Sequence, residues 1–122
     1  MKQTFSIAIA AALALTTPAI AGNMTAQQIA AANKSDAECL THFSVLLGQN
    51  DEPMPEDGRN TAGIAYYFGA IEARSPDLDI APLVNAAATE MDVDSGPITT
   101  RCEAELLSIG DRLLTLSENI GQ

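Results

Sequence analysis

The two cysteines constrain the fold more than any other feature, because they are the only pair and lie far apart in the chain. Cys39 and Cys102 allow a single intramolecular connectivity. A disulfide that closes so long a loop stabilises a fold by about 4 kcal/mol in the chain-entropy model, against roughly 5–15 kcal/mol for a whole domain. No Cys-x-x-Cys pattern is present, which favours a structural bridge over a catalytic one. The alternative is a pair of buried thiols that pack as small apolar side chains.

The first residues predict the compartment in which such a bridge would form. Residues 1–21 have the features of a secretory signal: Lys2 provides a positive start, residues 5–15 are apolar, and Ala19-Ile20-Ala21 is a small-x-small cleavage site. The apolar stretch is shorter than the roughly 20 residues that span a bilayer. We therefore expect a mature chain that forms a single helical domain over residues 22–122. Its predicted location is periplasmic or secreted, where cysteines oxidise.

The spacing of apolar residues predicts an all-α fold. In residues 97–120 they recur at steps of four, four, three, four, three and four, which is typical of one face of a helix. We expect this face to be the surface around which the rest of the chain is organised. Its members are Ile98, Cys102, Leu106, Ile109, Leu113, Leu116 and Ile120.

The first part of the mature chain contains two possible helix starts. Thr25 with Gln28 has the spacing of a capping box, and so has Ser35 with Glu38. The apolar residues that follow the second start include Cys39. We therefore expect either two short helices or one bent helix before the loop that begins at residue 49.

Two more helices are predicted between this loop and the last helix. Residues 60–74 form one, and Asp79 is the expected N-cap of the other, with Pro82 in its first turn. Gly69 costs helix stability, so we expect close approach by another helix at the ridge of small residues around it. The predicted architecture is an all-α domain of four helices, or five segments if the first is divided, packed orthogonally or as a bundle and linked by one disulfide.

The charge of the chain limits the partners that it can have. All sixteen acidic side chains belong to the mature part, against five basic ones, so its side chains have a net charge of −11 at neutral pH. Such a surface repels phosphate backbones and anionic lipid heads, which argues against nucleic-acid binding and against membrane binding after signal cleavage. We expect a client or partner protein instead. The predicted oligomeric state is a monomer, or a weak homodimer through the ridge around Gly69.

Two acidic loops, residues 51–57 and 90–96, raise the question of calcium binding. Counted from Asp92, Asp94 and Glu103 match the third and twelfth positions of an EF-hand. The sixth position is Pro97, however, where the loop needs a glycine. A hydrated loop followed by a helix that opens at Pro97 accounts for the same residues. The sequence leaves the calcium question open for both loops.

His42 is the only histidine and is predicted to lie one turn from Cys39, beside the apolar face of its helix. A packed structural histidine is the commoner role at such a position. No Gly-x-Ser-x-Gly, His-Glu-x-x-His or phosphate-binding glycine loop occurs in the sequence. We therefore expect no catalytic, cofactor-binding or metal-ligating residue, no cofactor and no enzymatic activity.

Two sets of residues resemble known exported proteins. The Tyr-Tyr-x-Gly of residues 66–69, followed by the Arg-Cys-x-x-Glu-Leu of residues 101–106, is similar to a pattern in small uncharacterised exported helical proteins of Gram-negative bacteria. Residues 39–43 and 96–102 show a weaker resemblance to the HdeA-type periplasmic acid-stress chaperones. This second resemblance implies a fold that loosens in acid and exposes apolar faces to client proteins. The alternative function is a helical protein-interaction module or accessory subunit without catalytic activity.

Overall fold

The computed structural model describes residues 23–49 and 51–120, which form four helices. They are α1 (Ala26–Gly48), α2 (Asp57–Arg74), α3 (Ala81–Val93) and α4 (Gly96–Ile120). No strand occurs in these residues, and one disulfide joins α1 to α4. The predicted all-α fold of four helices is therefore confirmed. The predicted signal peptide, residues 1–21, lies outside the described residues.

α1 begins as predicted and then continues through the point where a second start was expected. The Thr25 hydroxyl accepts a hydrogen bond from the Gln28 N–H (3.1 Å), and the Gln28 side chain accepts one from the Thr25 N–H (2.8 Å). The second predicted capping box is wrong, because Ser35 and Glu38 lie inside the helix and both accept hydrogen bonds from Arg101 of α4. The same residue spacing therefore serves a contact between helices rather than a helix start.

α1, and not α4, is the helix around which the others are arranged. α2, α3 and α4 each pack against it, and every residue from 37 to 43 is buried. The expectation that the apolar face of α4 is the organising surface is wrong, because none of residues 107–120 is buried. The buried apolar cluster consists of Ala37, Cys39, Leu40, Phe43, Tyr67, Ile71, Ile98, Cys102 and Leu106.

The tight contact between α1 and α2 lies at Gly63 rather than at Gly69. The ring of Phe43 rests on the backbone of Gly63, and it stacks with Tyr67 one turn further along α2, with ring centroids 6.1 Å apart. A Cβ added at Gly69 would meet no atom of another helix within 4 Å, and the ridge around it is exposed. The predicted close approach at Gly69 is therefore wrong for the packing of helices within one chain.

Aspartate side chains lie at the starts of the last two helices. Asp79 Oδ1 accepts a hydrogen bond from the Ala81 N–H (3.1 Å), and Asp94 Oδ1 accepts one from the Gly96 N–H (3.0 Å). Asp79 thus supports the start of α3, although the predicted N-cap is wrong by one residue, because Ile80 is the N-cap and the helix begins at Ala81. None of the four described helices combines the length and the apolar character that crossing a bilayer requires.

Candidate functional site

The predicted disulfide is present, and the fold encloses it. Cys39 of α1 and Cys102 of α4 are joined by an S–S bond of 2.04 Å, and neither residue is exposed to solvent. Thiol–disulfide exchange requires that a thiolate reach one of the two sulfur atoms of the bridge. A bond that is buried to this extent is therefore a structural link between the two helices.

Arg101, which precedes Cys102, lies beside the bridge and connects α4 to α1. Its guanidinium donates hydrogen bonds to Ser35 Oγ and to Glu38 Oε2, each at 2.5 Å. Its Nη1 also lies 3.4 Å from Cys39 Sγ. Because the Glu38 carboxylate compensates its charge, Arg101 holds two helices together rather than activating a sulfur atom.

Tyr67 places its ring in the core and its hydroxyl against α4. The hydroxyl donates a hydrogen bond to Glu105 Oε2 (3.1 Å). Burial, followed by the negative charge of Glu105, raises the pKa of Tyr67 above its ordinary value of 10.0. Tyr66 is exposed, and both tyrosines border an open groove of about 380 Å³ beside α4. Packing at the core and at its edge therefore describes both residues.

His42 is buried and shares a carboxylate with an arginine. Its Nε2 lies 3.0 Å from Glu103 Oε1, while Arg59 of α2 pairs with the other oxygen of Glu103. Burial, followed by the positive charge of Arg59, lowers the pKa of His42 below 6.5. A neutral imidazole therefore donates to Glu103 at neutral pH. The ring also packs edge-on against Phe43, with centroids 4.8 Å apart, which is typical of a structural histidine.

Four of the five basic residues within residues 23–49 and 51–120 form ion pairs between different helices. These pairs link α1 to each of the other helices, and they link α2 to α4 as well. The pairs are Asp36–Arg74 for α1 and α2, Lys34–Glu90 for α1 and α3, Glu38–Arg101 for α1 and α4, and Arg59–Glu103 for α2 and α4. Each of these links depends on an ionised carboxylate.

The prediction of an acidic loop over residues 90–96 is wrong, because residues 90–93 end α3 and Gly96 begins α4. In both predicted loop segments, carboxylates hold backbone groups. Asp57 Oδ2 accepts a hydrogen bond from the Met54 N–H (2.7 Å), and Asp94 supports the start of α4. Within residues 23–49 and 51–120, no three His, Cys, Asp or Glu side chains converge on a position that could hold a metal ion. Glu103, which matched the last position of an EF-hand, lies in α4 and binds His42 and Arg59 instead. The partial EF-hand pattern is therefore not a ligand set in this fold.

The second half of α4 extends beyond the core. Residues 107–120, which we name the α4 arm, include no buried residue, and residues 111–120 are exposed throughout. Soluble monomers rarely expose large contiguous apolar patches unless these have a binding function. Five large aliphatic side chains on the arm are each at least 59% exposed: Leu107, Leu113, Leu114, Leu116 and Ile120.

An apolar groove of about 380 Å³ lies where the arm leaves α2. Tyr66 and Ala62 of α2 border it on one side, and Leu106, Leu113 and Leu114 border it on the other. The groove continues the apolar surface of the arm toward the core. Arm and groove together carry six of the eleven large hydrophobic side chains that are exposed among the described residues, and we take them as the candidate binding site.

The sequence predicted the apolar face of α4 but not its exposure. A signal was present, because the steps between apolar residues change at Leu106 from four and four to an alternation of three and four. The polar contacts of Glu38 and Glu105 had no such signal. Their partners on other helices lie between 38 and 63 positions away in the chain, so nothing local in the sequence indicates them.

Comparison with known proteins finds no matching family model, no similar curated protein and no similar solved structure. The function of the chain is therefore inferred from the contacts and surfaces described above.

Proposed function

We propose that this chain is an exported stress protein of the HdeA type, which loosens in acid and then binds unfolded client proteins. The observation that supports this proposal is the set of four ion pairs between helices. Every helix takes part in at least one of them, and each pair needs an ionised carboxylate. Protonation in acid removes the negative charge from each of these pairs.

The size of this effect suits a partial opening. Exposed ion pairs stabilise a fold by about 0–1 kcal/mol each, and pairs that are partly buried, such as Arg101–Glu38, interact more strongly. The loss of the three pairs that Glu38, Glu90 and Glu103 form is then a modest part of the roughly 5–15 kcal/mol that holds a domain together. The Cys39–Cys102 bridge does not depend on protons, so α1 and α4 remain joined while the packing around them loosens.

The buried His42 and the partly buried Asp36 modify this response in opposite directions. The pKa of His42 is lowered in the fold, so the stability that it contributes is present above pH 6.5 and is lost as the pH falls through its folded value. Burial raises the pKa of Asp36 above 3.8, and Arg74 offsets part of this effect. Protonation of Asp36 therefore relieves a cost and favours the fold in acid. His42 promotes loosening, whereas Asp36 opposes it.

A pH titration of the mature protein tests the proposal. Near-UV circular dichroism of the tyrosines would follow the packing, and light scattering would follow the aggregation of a client protein that unfolds at pH 2–3. We expect the tyrosine signal to fall with pH and client aggregation to be suppressed at pH 2–3. Absence of suppression throughout that range would contradict the proposal.

Charge-neutral variants test the role of the ion pairs themselves. In the double variant Glu38→Gln/Glu103→Gln, two of the four links are weakened at every pH, so the acid transition should move to higher pH. The matched control Asp51→Asn/Glu52→Gln removes the same charge from side chains that form no ion pair within the described residues. Equal shifts in both variants would mean that total charge, and not the helix contacts, governs the transition.

A second candidate function is a helical protein-interaction module or accessory subunit without catalytic activity. The observation that favours it is the α4 arm, whose leucines are exposed while the ion pairs are intact. This candidate predicts a defined partner at neutral pH and a fold that acid leaves unchanged. The same titration separates the two functions.

A further inference from the structure

We propose that the α4 arm pairs with the α4 arm of a second copy of this chain, forming an antiparallel two-helix seam. This inference does not depend on the proposed response to acid, because it concerns the folded protein at neutral pH. It rests on the spacing of the apolar residues along the arm, on the positions of its charges and on the distribution of charge between arm and core.

The spacing on the arm is that of a coiled-coil seam. Up to Leu106 the apolar residues of α4 follow one another at steps of four, and this part of the helix lies against α1. Beyond Leu106 one face of the helix has apolar residues at alternating steps of three and four, which is the heptad pattern of a helix that packs along one partner helix, and Leu107 and Leu114 widen this face on one flank. The spacing changes at Leu106, which is also the last buried residue of α4. The seam positions on the arm are Ile109, Leu113, Leu116 and Ile120.

The charges of the arm stay away from this seam. In the heptad pattern, Asp111 and Glu118 occupy the position farthest from a partner helix. The positions that flank the seam on one side are Gly110 and Ser117, both small enough for close approach. On the other side they are Arg112 and Asn119. No carboxylate within residues 107–120 would thus face the second copy across the seam.

The distribution of charge selects the antiparallel orientation. The arm contributes two acids and one basic residue, a net charge of −1, so almost all of the −11 of the mature chain lies on the remainder. A parallel pair would place two strongly acidic cores side by side. An antiparallel pair places them at opposite ends of an arm about 20 Å long, which exceeds the Debye length of about 8 Å at physiological ionic strength.

The sequence also indicates the register. If Leu113 of one copy packs against Leu116 of the other, Ile109 packs against Ile120, and all four layers of the seam lie on the arm. Arg112 then lies near Asn119 of the second copy, whereas a shift by one heptad toward the core would bring two copies of Arg112 together. A seam of four layers is smaller than a standard interface, so we expect a dimer whose population depends on concentration.

Sedimentation equilibrium at neutral pH and physiological ionic strength tests the pairing. We expect the mature protein to shift from monomer to dimer with rising concentration, and the double variant Leu113→Asn/Leu116→Asn to weaken this association by about tenfold or more. The matched control Thr115→Asn/Glu118→Gln changes the opposite face and should leave association unchanged. Both pairs of positions are exposed, so circular dichroism should show the same fold in all three proteins. A chain that stays monomeric up to millimolar concentration would overturn the proposal, as would a dimer that the Leu113→Asn/Leu116→Asn variant forms equally well.

Cysteine cross-linking tests the orientation. An equimolar mixture of the Leu113→Cys and Leu116→Cys variants should form a mixed disulfide dimer in preference to either homodimer, because the two positions meet across an antiparallel seam. A parallel pair would instead join Leu113→Cys chains to one another. Preferential homodimers of that variant would overturn the antiparallel arrangement. Neither experiment involves acid, so its outcome is independent of the stress-protein proposal.

Discussion

A Cβ atom added to Gly63 of α2 would lie 2.8 Å from Cδ2 of Phe43 of α1, closer than two nonbonded carbon atoms approach one another. The phenyl ring cannot move aside easily, because it is fully buried, stacked with Tyr67 and in edge contact with His42. The absence of a side chain at position 63 is therefore what allows α1 and α2 to pack at this distance.

Gly63→Ala should destabilise the fold, although alanine is the better helix former. We expect overpacking against Phe43 to lower the free energy of unfolding by about 1–3 kcal/mol, which outweighs the intrinsic gain of about 1 kcal/mol. Gly69→Ala is the matched control. It has no neighbour within 4 Å, so this variant should be about 0.5–1 kcal/mol more stable than the natural chain. Urea unfolding followed by far-UV circular dichroism measures both, and a stabilised Gly63→Ala variant would disprove the close packing.

Removal of the disulfide should destabilise the protein strongly. The bridge joins residues 63 positions apart, so we expect the Cys39→Ala/Cys102→Ala variant to lose about 4 kcal/mol of unfolding free energy. Denaturant unfolding of this variant beside the natural protein, with and without reductant, gives the difference. Reductant should leave the variant unaffected. A loss well under 1 kcal/mol would show that contacts other than the bridge hold α4 on α1.

The hydroxyl of Tyr67 should contribute to stability, and that of Tyr66 should not. Tyr67→Phe leaves Glu105 without its buried donor, and we expect a loss of about 1–2 kcal/mol. Tyr66→Phe, at an exposed position, should change the unfolding free energy by less than about 0.5 kcal/mol.

The Tyr66→Phe variant also isolates the ionisation of Tyr67. Because the pKa of Tyr67 is raised in the fold, the unfolded chain releases this proton more easily. The corresponding stability is present below pH 10 and is lost as the pH rises above it. Ultraviolet titration of this variant should show phenolate appearing only above the ordinary value of 10.0. Ionisation at or below that value would contradict the buried contact with Glu105.

The single histidine should make the fold less stable as the pH falls below neutrality. The unfolded chain binds a proton at about pH 6.5, whereas burial and Arg59 delay protonation of His42 in the fold. We therefore expect the unfolding free energy to fall between pH 7 and pH 5. In His42→Gln this part of the pH dependence should disappear. An NMR titration gives the pKa directly, and a value above 6.5 would show that Glu103 outweighs burial.

The sequence predicted the features that depend on the spacing of neighbouring residues or on the even number of cysteines. The capping box of Thr25, the α-helical periodicity and the Cys39–Cys102 pairing belong to this class, since each needs only neighbouring residues or the cysteine count. The close contact at Gly63 could not be predicted from the sequence. Gly63 and Gly69 lie six positions apart in the same predicted helix, and they differ only in that Gly63 lies against Phe43 in the fold.

The central position of α1 was also hidden from the sequence. Glu38, Thr41 and His42 interrupt its apolar pattern, so the segment reads as a helix with one polar face. In the fold these three side chains are buried, and each has a hydrogen-bond partner. Two of the partners belong to α4, which closes over α1 only in the complete fold. For the candidate binding site, the spacing of apolar residues predicted the apolar face of α4. It did not indicate that the core covers this face only as far as Leu106.

The enclosure of residues 37–43 has a consequence for how sequences related to this one can diverge. A helix normally keeps one side in water, where substitutions accumulate at little cost, but two whole turns of α1 have no such side. We expect homologues to preserve this heptapeptide as a block, polar members included. α3 buries only Ala87, so we expect its sequence to vary more among homologues than that of α1.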